Sequence, residues 1–142
     1  MAGYSETPLA RKLGIKPGFN IAFVNAPVDF FDELTLPQDI KVNSRTQKPL
    51  DFVLLFSKSE KDLKKEFSQH AKRLAPAGMI WVAWPKKSSG VTTDLSFNNV
   101  QAIGLATGLV DIKICAVNEI WSGLKFVFRL KDRQQSKVRS PE

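Results

Sequence analysis

The sequence predicts an α/β domain of three layers, whose mostly parallel sheet ends in an antiparallel hairpin. Several strand-length apolar runs are continuous rather than alternating, as in strands that are buried on both faces. Helical segments separate these runs, which is typical of a parallel sheet with helices on both sides. The last two strands instead alternate apolar and polar residues across a short turn. Together these three observations give the predicted architecture.

The chain of 142 residues suits one domain. We expect residues 1–130 to form that domain and residues 131–142 to form a polar, disordered tail. The predicted elements are a short helix (8–13), a strand (19–24), a short helix (28–34), an edge strand (40–42), a strand (52–56), a helix ending near 74, a strand (79–84), a helix (95–107) and two hairpin strands (111–117 and 124–130). Residues 76–78 are predicted to turn the chain before the strand at 79.

Capping residues set the predicted helix boundaries. Gly14 suits the end of the first helix. Ser57 or Ser59 can cap the longer helix that follows the buried strand, and Thr93 or Asp94 can cap the last helix. The longer helix places its apolar residues on one face at helical spacing: Leu63, Phe67, Ala71 and Leu74.

Composition excludes several kinds of site. Cys115 and His70 are the only residues of their types, so an internal disulfide, a multi-thiolate metal site and a two-histidine relay are all excluded. We predict no metal site. No apolar run reaches the roughly 18 residues of a membrane-spanning helix, and residues 1–20 hold no apolar stretch of signal-peptide length. We therefore expect a cytoplasmic protein without a membrane partner, in agreement with an unpaired cysteine.

The net charge of the chain is +7. A basic balance favours anionic partners, although a charge of about 2–8 also suits the solubility of any small domain. One hypothesis from this charge is a nucleic-acid-binding or protein-interaction adaptor that uses two basic surfaces. These surfaces are a helix face (Lys61, Lys64, Lys65, Lys72 and Arg73) and an irregular loop (Lys41, Arg45 and Lys48). Acidic residues on the same helix and the lack of an RNA-binding aromatic motif weaken this hypothesis.

A second hypothesis is a site for a small anionic ligand. Ligands of open parallel sheets bind beyond the carboxyl ends of the strands, which selects residues 25–27, 56–58 and 84–90. The last segment combines two lysines, several hydroxyls, a glycine and a following helix start, which suit an anion. The candidate ligand-binding residues are Asn25, Pro27, Trp84, Lys86, Lys87, Ser88, Ser89 and Thr92. The alternative is that the lysine-containing loop is a solvated turn and that Asn25 only satisfies its own bend.

Residues 73–82 (Arg-Leu-Ala-Pro-Ala-Gly-Met-Ile-Trp-Val) resemble a stretch of the S-adenosylmethionine-dependent methyltransferase fold, in which a central strand follows a Pro-Gly turn. Residues 108–130 are similar to the closing antiparallel strands of that fold. The resemblance implies a Rossmann-like domain with a glycine-rich cofactor turn after the first strand. Here the turn is Asn25-Ala26-Pro27, and Pro27 removes a backbone N–H. We therefore predict a methyltransferase-like fold without the glycine-rich cofactor motif, and we expect this bend to close the cofactor pocket.

Nearly the whole body, residues 1–129, resembles a small bacterial family of unknown function. The resembling pieces are Gly3-Tyr4-Ser5, Pro8-Leu9-Ala10, Leu13 to Gly18, Val24 to Pro27, Trp84 to Lys87 and Trp121 to Lys125. This resemblance implies no activity. The sequence leaves open the cofactor, the oligomeric state, and whether the protein is an enzyme.

Overall fold

A single sheet of six strands organises the computed structural model, which describes residues 8–42 and 48–133. The strands are β1 (Asn20–Val24), β2 (Lys41–Val42), β3 (Leu50–Phe56), β4 (Leu74–Pro85), β5 (Leu109–Ala116) and β6 (Trp121–Phe128). Their order is β2-β1-β3-β4-β6-β5. The first four strands are parallel, and β6 runs antiparallel to both β4 and β5. The predicted fold class, a mostly parallel sheet that ends in an antiparallel hairpin, is confirmed.

Three helices accompany the sheet in the described residues: α1 (Leu9–Leu13), α2 (Glu60–Ala71) and α3 (Phe97–Ala106). Short 3₁₀ turns occupy Val28–Glu33 and Lys87–Ser89, and the first of these lies where a short helix was predicted. Residues 130–133 form one further helical turn, and the rest of the predicted tail lies outside the described residues. No helix in the described ranges is both long and apolar enough to cross a membrane.

The two faces of the sheet are covered differently. On the helical face, α2 and α3 pack over a mainly aliphatic core. On the opposite, aromatic face, α1 and the Val28–Glu33 turn cover a core rich in rings. The rings of the aromatic face are those of Phe23, Phe30, Phe52, Phe56, Trp81 and Trp121. A short helix and a 3₁₀ turn cover less of a sheet than two long helices, so this face has room for a cavity.

The prediction of a turn at residues 76–78 is wrong, because these residues lie inside β4. Leu50 pairs with Leu74 and Phe52 pairs with Met79, so five steps along β4 match two steps along β3. The extra residues bulge out of the ladder. A Cβ on Gly78 would lie 2.8 Å from the Leu50 carbonyl oxygen, so glycine permits this close approach. The Pro-Ala-Gly run therefore makes a bulge, and β4 begins five residues before the predicted strand.

The prediction that Thr93 or Asp94 caps α3 is also wrong. Ser96 is the N-cap, and its backbone N–H donates to Asn99 Oδ1 at 2.6 Å. Asp94 instead accepts the Glu60 N–H at 2.8 Å, at the start of α2. The loop before α3 crosses the start of α2, which explains why its carboxylate serves the other helix. The predicted cap of α2 is confirmed, since Ser59 Oγ accepts the Asp62 N–H at 3.0 Å.

Candidate ligand-binding pocket

A cavity of about 640 Å³ opens at the carboxyl ends of β1 and β3. Its walls are the Val28–Glu33 turn on one side and the turn between β5 and β6 on the other. The lining residues are Asn25, Pro27, Asp29, Phe30, Glu33, Lys58, Val91, Asn118, Glu119, Ile120 and Trp121. A volume of this size falls within the range of about 300–1,000 Å³ that is usual for small-molecule sites.

Strand direction explains why the β5–β6 turn reaches this edge of the sheet. Because β6 runs antiparallel to β4, its first residue, Trp121, pairs with the last residue of β4, Pro85. The Lys86 N–H donates to the Ile120 carbonyl at 2.8 Å and so fixes the turn to the end of β4. Asn118 Oδ1 accepts the N–H groups of Ile120 and Trp121 at 2.9 and 3.0 Å, which holds the turn in one shape.

Aromatic rings that pack against one another lie beside the cavity. The Phe30 and Phe56 ring centroids lie 5.1 Å apart, and those of Phe56 and Trp121 lie 5.0 Å apart, both in edge-on geometry. Such pairs hold each other in fixed orientations and add to the stability from burial. Phe30 and Trp121 also line the cavity. Two packed aromatic residues therefore form an apolar part of the cavity lining.

The charges around the cavity are opposite in sign to the charge of the whole chain. Asp29, Glu33 and Glu119 supply three carboxylates, whereas Lys58 is the one cation in the lining. Asn118 Nδ2 donates to Glu33 Oε2 at 3.3 Å and joins the two walls. With three negative groups and one positive group, the lining favours a ligand that carries positive charge and offers one place for a ligand carboxylate.

Asn25 forms the bend after β1. Its φ of 58° is in the left-handed region, which asparagine tolerates better than most residues other than glycine. Its Nδ2 donates to the Phe56 carbonyl at 3.3 Å and to both Glu66 carboxylate oxygens at 3.0 Å. Asn25 thus lies at the bend, and its side chain bonds β3 and α2 rather than its own turn. Asn25 and Pro27 also border an open cavity, so there is open space beside the bend that was expected to close the cofactor pocket.

The structure places the other predicted site residues outside the lining of this cavity. Trp84 is buried in the core of the helical face. The backbone of Lys86 bonds the β5–β6 turn, and Ser89 Oγ donates to the Lys86 carbonyl at 2.6 Å and accepts the Val91 N–H at 3.2 Å. The side chains of Lys87, Ser88 and Thr92 are exposed. Asn25 and Pro27 are therefore the predicted residues that reach the cavity, and an anion site on the lysine-containing loop stays a prediction.

Sequence reasoning missed the wall that the β5–β6 turn forms. The carboxyl-end rule selected residues 25–27, 56–58 and 84–90; Asn25, Pro27 and Lys58 line the cavity, and none of residues 84–90 does. It was applied to the parallel strands alone. An antiparallel last strand must begin at that same edge, so the predicted hairpin already indicated that Asn118 to Trp121 lie there.

Side chains that commonly bind metals are not clustered in residues 8–42 and 48–133. The structure brings together no group of three His, Cys, Asp or Glu side chains there that could hold a metal ion. His70 Nδ1 lies 2.8 Å from the Glu66 carbonyl oxygen, within its own helix.

Several solved structures are similar to this chain. A SAM-dependent methyltransferase from Aquifex aeolicus superposes with a TM-score of 0.62 at 14% identity, over 83% of this chain and 86% of that one. Aeropyrum pernix fibrillarin, solved with natively bound S-adenosyl-L-methionine, gives a TM-score of 0.52 at 12% identity over 88% and 70%. Magnesium protoporphyrin IX methyltransferase from Synechocystis PCC 6803, with bound SAH, gives 0.51 at 8% over 80% and 75%.

The fold is therefore that of the SAM-dependent methyltransferases, a Rossmann-like fold, as the resemblance of residues 73–82 and 108–130 implied. No family model and no curated protein matches the sequence. The resemblance to a small bacterial family accordingly stays a prediction. Identities of 8–14% establish the fold alone, so the ligand has to be argued from the pocket itself.

Proposed function

We propose that the protein is a small-molecule-binding domain whose pocket takes S-adenosylmethionine or a close relative of it. The observation that carries the proposal is the cavity at the carboxyl ends of β1 and β3 in a methyltransferase fold. Binding is the proposed activity, and methyl transfer is not part of it.

The residues of the pocket suit the groups of this ligand. S-adenosylmethionine carries a sulfonium cation, an ammonium group, a carboxylate and an aromatic base. Asp29, Glu33 and Glu119 are suited to its two positive centres, and Lys58 is suited to its carboxylate. The Trp121 ring offers a flat surface for a base or a cation.

The bend after β1 supports the same proposal. A glycine-rich turn in this position supplies backbone conformations that most residues avoid. Asn25 supplies one such conformation without glycine, and its amide bonds hold the bend against β3 and α2. The absence of glycine in Asn25-Ala26-Pro27 is therefore compatible with a pocket at this bend.

Calorimetric titration with S-adenosylmethionine and with S-adenosylhomocysteine tests the proposal. Wild-type protein should bind both. The double variant Asp29→Asn/Glu33→Gln should lose about tenfold in affinity, or about 1.4 kcal/mol, for S-adenosylmethionine, and less for S-adenosylhomocysteine, which lacks the sulfonium charge. The matched control is Asp32→Asn, because Asp32 is exposed on the same 3₁₀ turn and lies outside the lining.

Failure of wild-type protein to bind either compound would refute the proposal. Equal losses in the double variant and in Asp32→Asn would also count against it. The anionic-ligand hypothesis predicts a different pattern: inorganic phosphate or ATP would raise the melting temperature, and Lys86→Gln/Lys87→Gln would abolish that rise. The cytoplasmic location stays a prediction that this experiment does not address.

A further inference from the structure

A cluster of four lysines, Lys12, Lys16, Lys113 and Lys125, lies on the aromatic face, away from the pocket lining. Lys113 of β5 pairs with Lys125 of β6, and Lys125 pairs with Trp81 of β4. Residues paired across strands share a face of the sheet, so both lysines lie on the side that α1 covers. We call these four residues the lysine cluster.

The end of α1 meets these strands closely. Trp81 Nε1 donates to the Leu13 carbonyl at 2.8 Å and anchors α1 on the sheet. Lys12 Nζ donates to the Ala116 carbonyl at 3.2 Å, and Lys113 Nζ donates to the Lys12 carbonyl at 3.3 Å. A Cβ built on Gly14 would lie 3.6 Å from Lys125 Nζ. The ammonium groups of Lys12, Lys113 and Lys125 thus lie around the end of one short helix, and Lys16 is near enough to help lower the pKa of Lys125.

The lysine cluster has no acidic partner in the described part of the chain. The recorded bonds of Lys12 and Lys113 go to backbone carbonyls, and no carboxylate forms an ion pair with any of the four residues there. Each ammonium group has three N–H donors, so the two lysines that bond carbonyls still have donors to offer. Burial, together with Lys113 and Lys16, lowers the pKa of Lys125, so the cations repel one another without local compensation.

We infer that the lysine cluster is a docking surface for the phosphodiester backbone of a single-stranded nucleic acid. Four cations on α1, the segment after it, β5 and β6 exceed what one phosphate group neutralises, whereas a chain of phosphates can contact them in succession. Lys125 is half-buried beside α1, where a flat lipid surface cannot reach it but a flexible strand can. The residues differ from those of the two basic surfaces predicted from sequence.

The test is the fluorescence anisotropy of a labelled oligouridylate, titrated with the full chain between about 50 and 200 mM salt. For wild-type protein the logarithm of the association constant should fall linearly with the logarithm of the salt concentration. In Lys113→Gln/Lys125→Gln the slope should lose about 1.4, or about 0.7 for each lost contact to a single strand. Its affinity at the lower salt concentration should fall about tenfold. The charge-preserving variant Lys113→Arg/Lys125→Arg should retain most of the binding.

The matched control is Lys61→Gln/Lys64→Gln, which removes the same charge from the exposed side of α2 and should change affinity less than about twofold. An equal loss in this control would refute the docking surface, because net charge alone would then explain binding. Absence of oligouridylate binding would refute it as well. So would binding to phosphatidylserine vesicles in place of RNA, or full competition by inorganic phosphate at equal phosphate concentration. None of these outcomes depends on whether the pocket binds S-adenosylmethionine.

Discussion

The helical face and the aromatic face belong to the same sheet but differ in the elements that cover them and in the residues of their cores. Two helices of twelve and ten residues cover the helical face, and its core is mainly aliphatic. A five-residue helix and a six-residue 3₁₀ turn cover the aromatic face. The pocket and the lysine cluster both involve the aromatic face.

The difference shows how a short chain of this fold makes room for a site. Where long helices pack, helix backbone and side chains cover the sheet. Where they are replaced by short turns, large rings fill the core in their place: Phe30, Phe56, Trp81 and Trp121 are all buried. Rings contribute much buried area for each residue, so the aromatic face can leave an open cavity and keep its core intact. Its stability should accordingly depend on a few rings.

The strongest test of that dependence is Trp81→Ala. Trp81 is fully buried and bonds the Leu13 carbonyl, so we expect the free energy of unfolding to fall by about 4 kcal/mol. Urea denaturation followed by circular dichroism measures the change. Trp81→Phe keeps a ring but leaves that carbonyl without its donor, and it should cost about 1–2 kcal/mol. A loss below about 1 kcal/mol for Trp81→Ala would mean that the aromatic face does not depend on this ring.

On the helical face, α3 approaches β6 closely at Gly104. A Cβ at Gly104 would lie 2.0 Å from Phe126 Cε2, and Phe126 also packs edge-on against Phe67 at 5.2 Å. Gly104→Ala should therefore destabilise the protein by about 2 kcal/mol, because the buried ring has little room to move. Adding Phe126→Leu should cost less than the sum of the two single changes. Asn98→Ala, at an exposed position of α3, is the control and should change stability by less than about 0.5 kcal/mol. Strict additivity of the two changes would contradict the proposed clash.

The two faces also differ in how well the sequence predicts them. The continuous apolar runs of β1 and β3 predicted the parallel sheet, and the spacing of Leu63, Phe67 and Ala71 predicted α2, because burial on a large surface repeats along the chain. Leu74 was predicted on the same helix face but lies in β4, since α2 ends at Ala71. The apolar composition of α3 does not indicate which of its sides is buried, because apolar residues occur on most sides of this helix. Val100 and Ile103 are buried, whereas Leu105 is 41% exposed, so one face of α3 packs on the sheet.

The site was less predictable than the fold. Asn25, Pro27 and Lys58 follow from the strand ends, because the carboxyl edge of a parallel sheet is set by topology alone. The contribution of Glu33 depends on a 3₁₀ turn that brings its carboxylate opposite Asn118, 85 residues later in the chain. Contacts at such separation leave no local pattern in a single sequence. The lysine cluster was missed for the same reason, since Lys12 and Lys113 are 101 residues apart.

Substitutions of Asn25 should lower the free energy of unfolding by a smaller amount, and they separate the contribution of backbone conformation from that of the side-chain hydrogen bonds. Asn25→Ala should cost about 1–2 kcal/mol, because alanine is strained at a φ of 58° and also loses the bonds to Phe56 and Glu66. Asn25→Gly removes only the bonds and should cost less than Asn25→Ala. Thermal unfolding of both variants, with Glu66→Gln as the variant that weakens the bonds alone, separates the two contributions. Equal costs for alanine and glycine would show that backbone conformation is unimportant at this bend.

The smallest expected effect is an increase in stability at Lys125. Burial, then Lys113 and Lys16, lower the pKa of Lys125 below its ordinary value of 10.5, so the folded protein holds this proton less tightly than the unfolded chain does. The free energy of unfolding should therefore rise as the pH increases from the lowered pKa towards 10.5, and at neutral pH the charged side chain should cost stability. Lys125→Met should stabilise the protein at pH 7 by about 0.3 kcal/mol, since solvent screens a half-exposed charge.

That gain should shrink when urea denaturation is repeated at a pH that approaches 10.5, because Lys125 gives up its proton more readily in the folded protein than in the unfolded chain. Lys61→Met, on the exposed side of α2, is the control and should leave the free energy of unfolding at pH 7 nearly unchanged. A destabilised Lys125→Met would contradict the interpretation of the cluster as mutually repelling cations. A stabilised variant would instead mean that the fold tolerates an unfavourable charge here, which is expected of a residue retained to contact an anionic partner rather than to hold the sheet together.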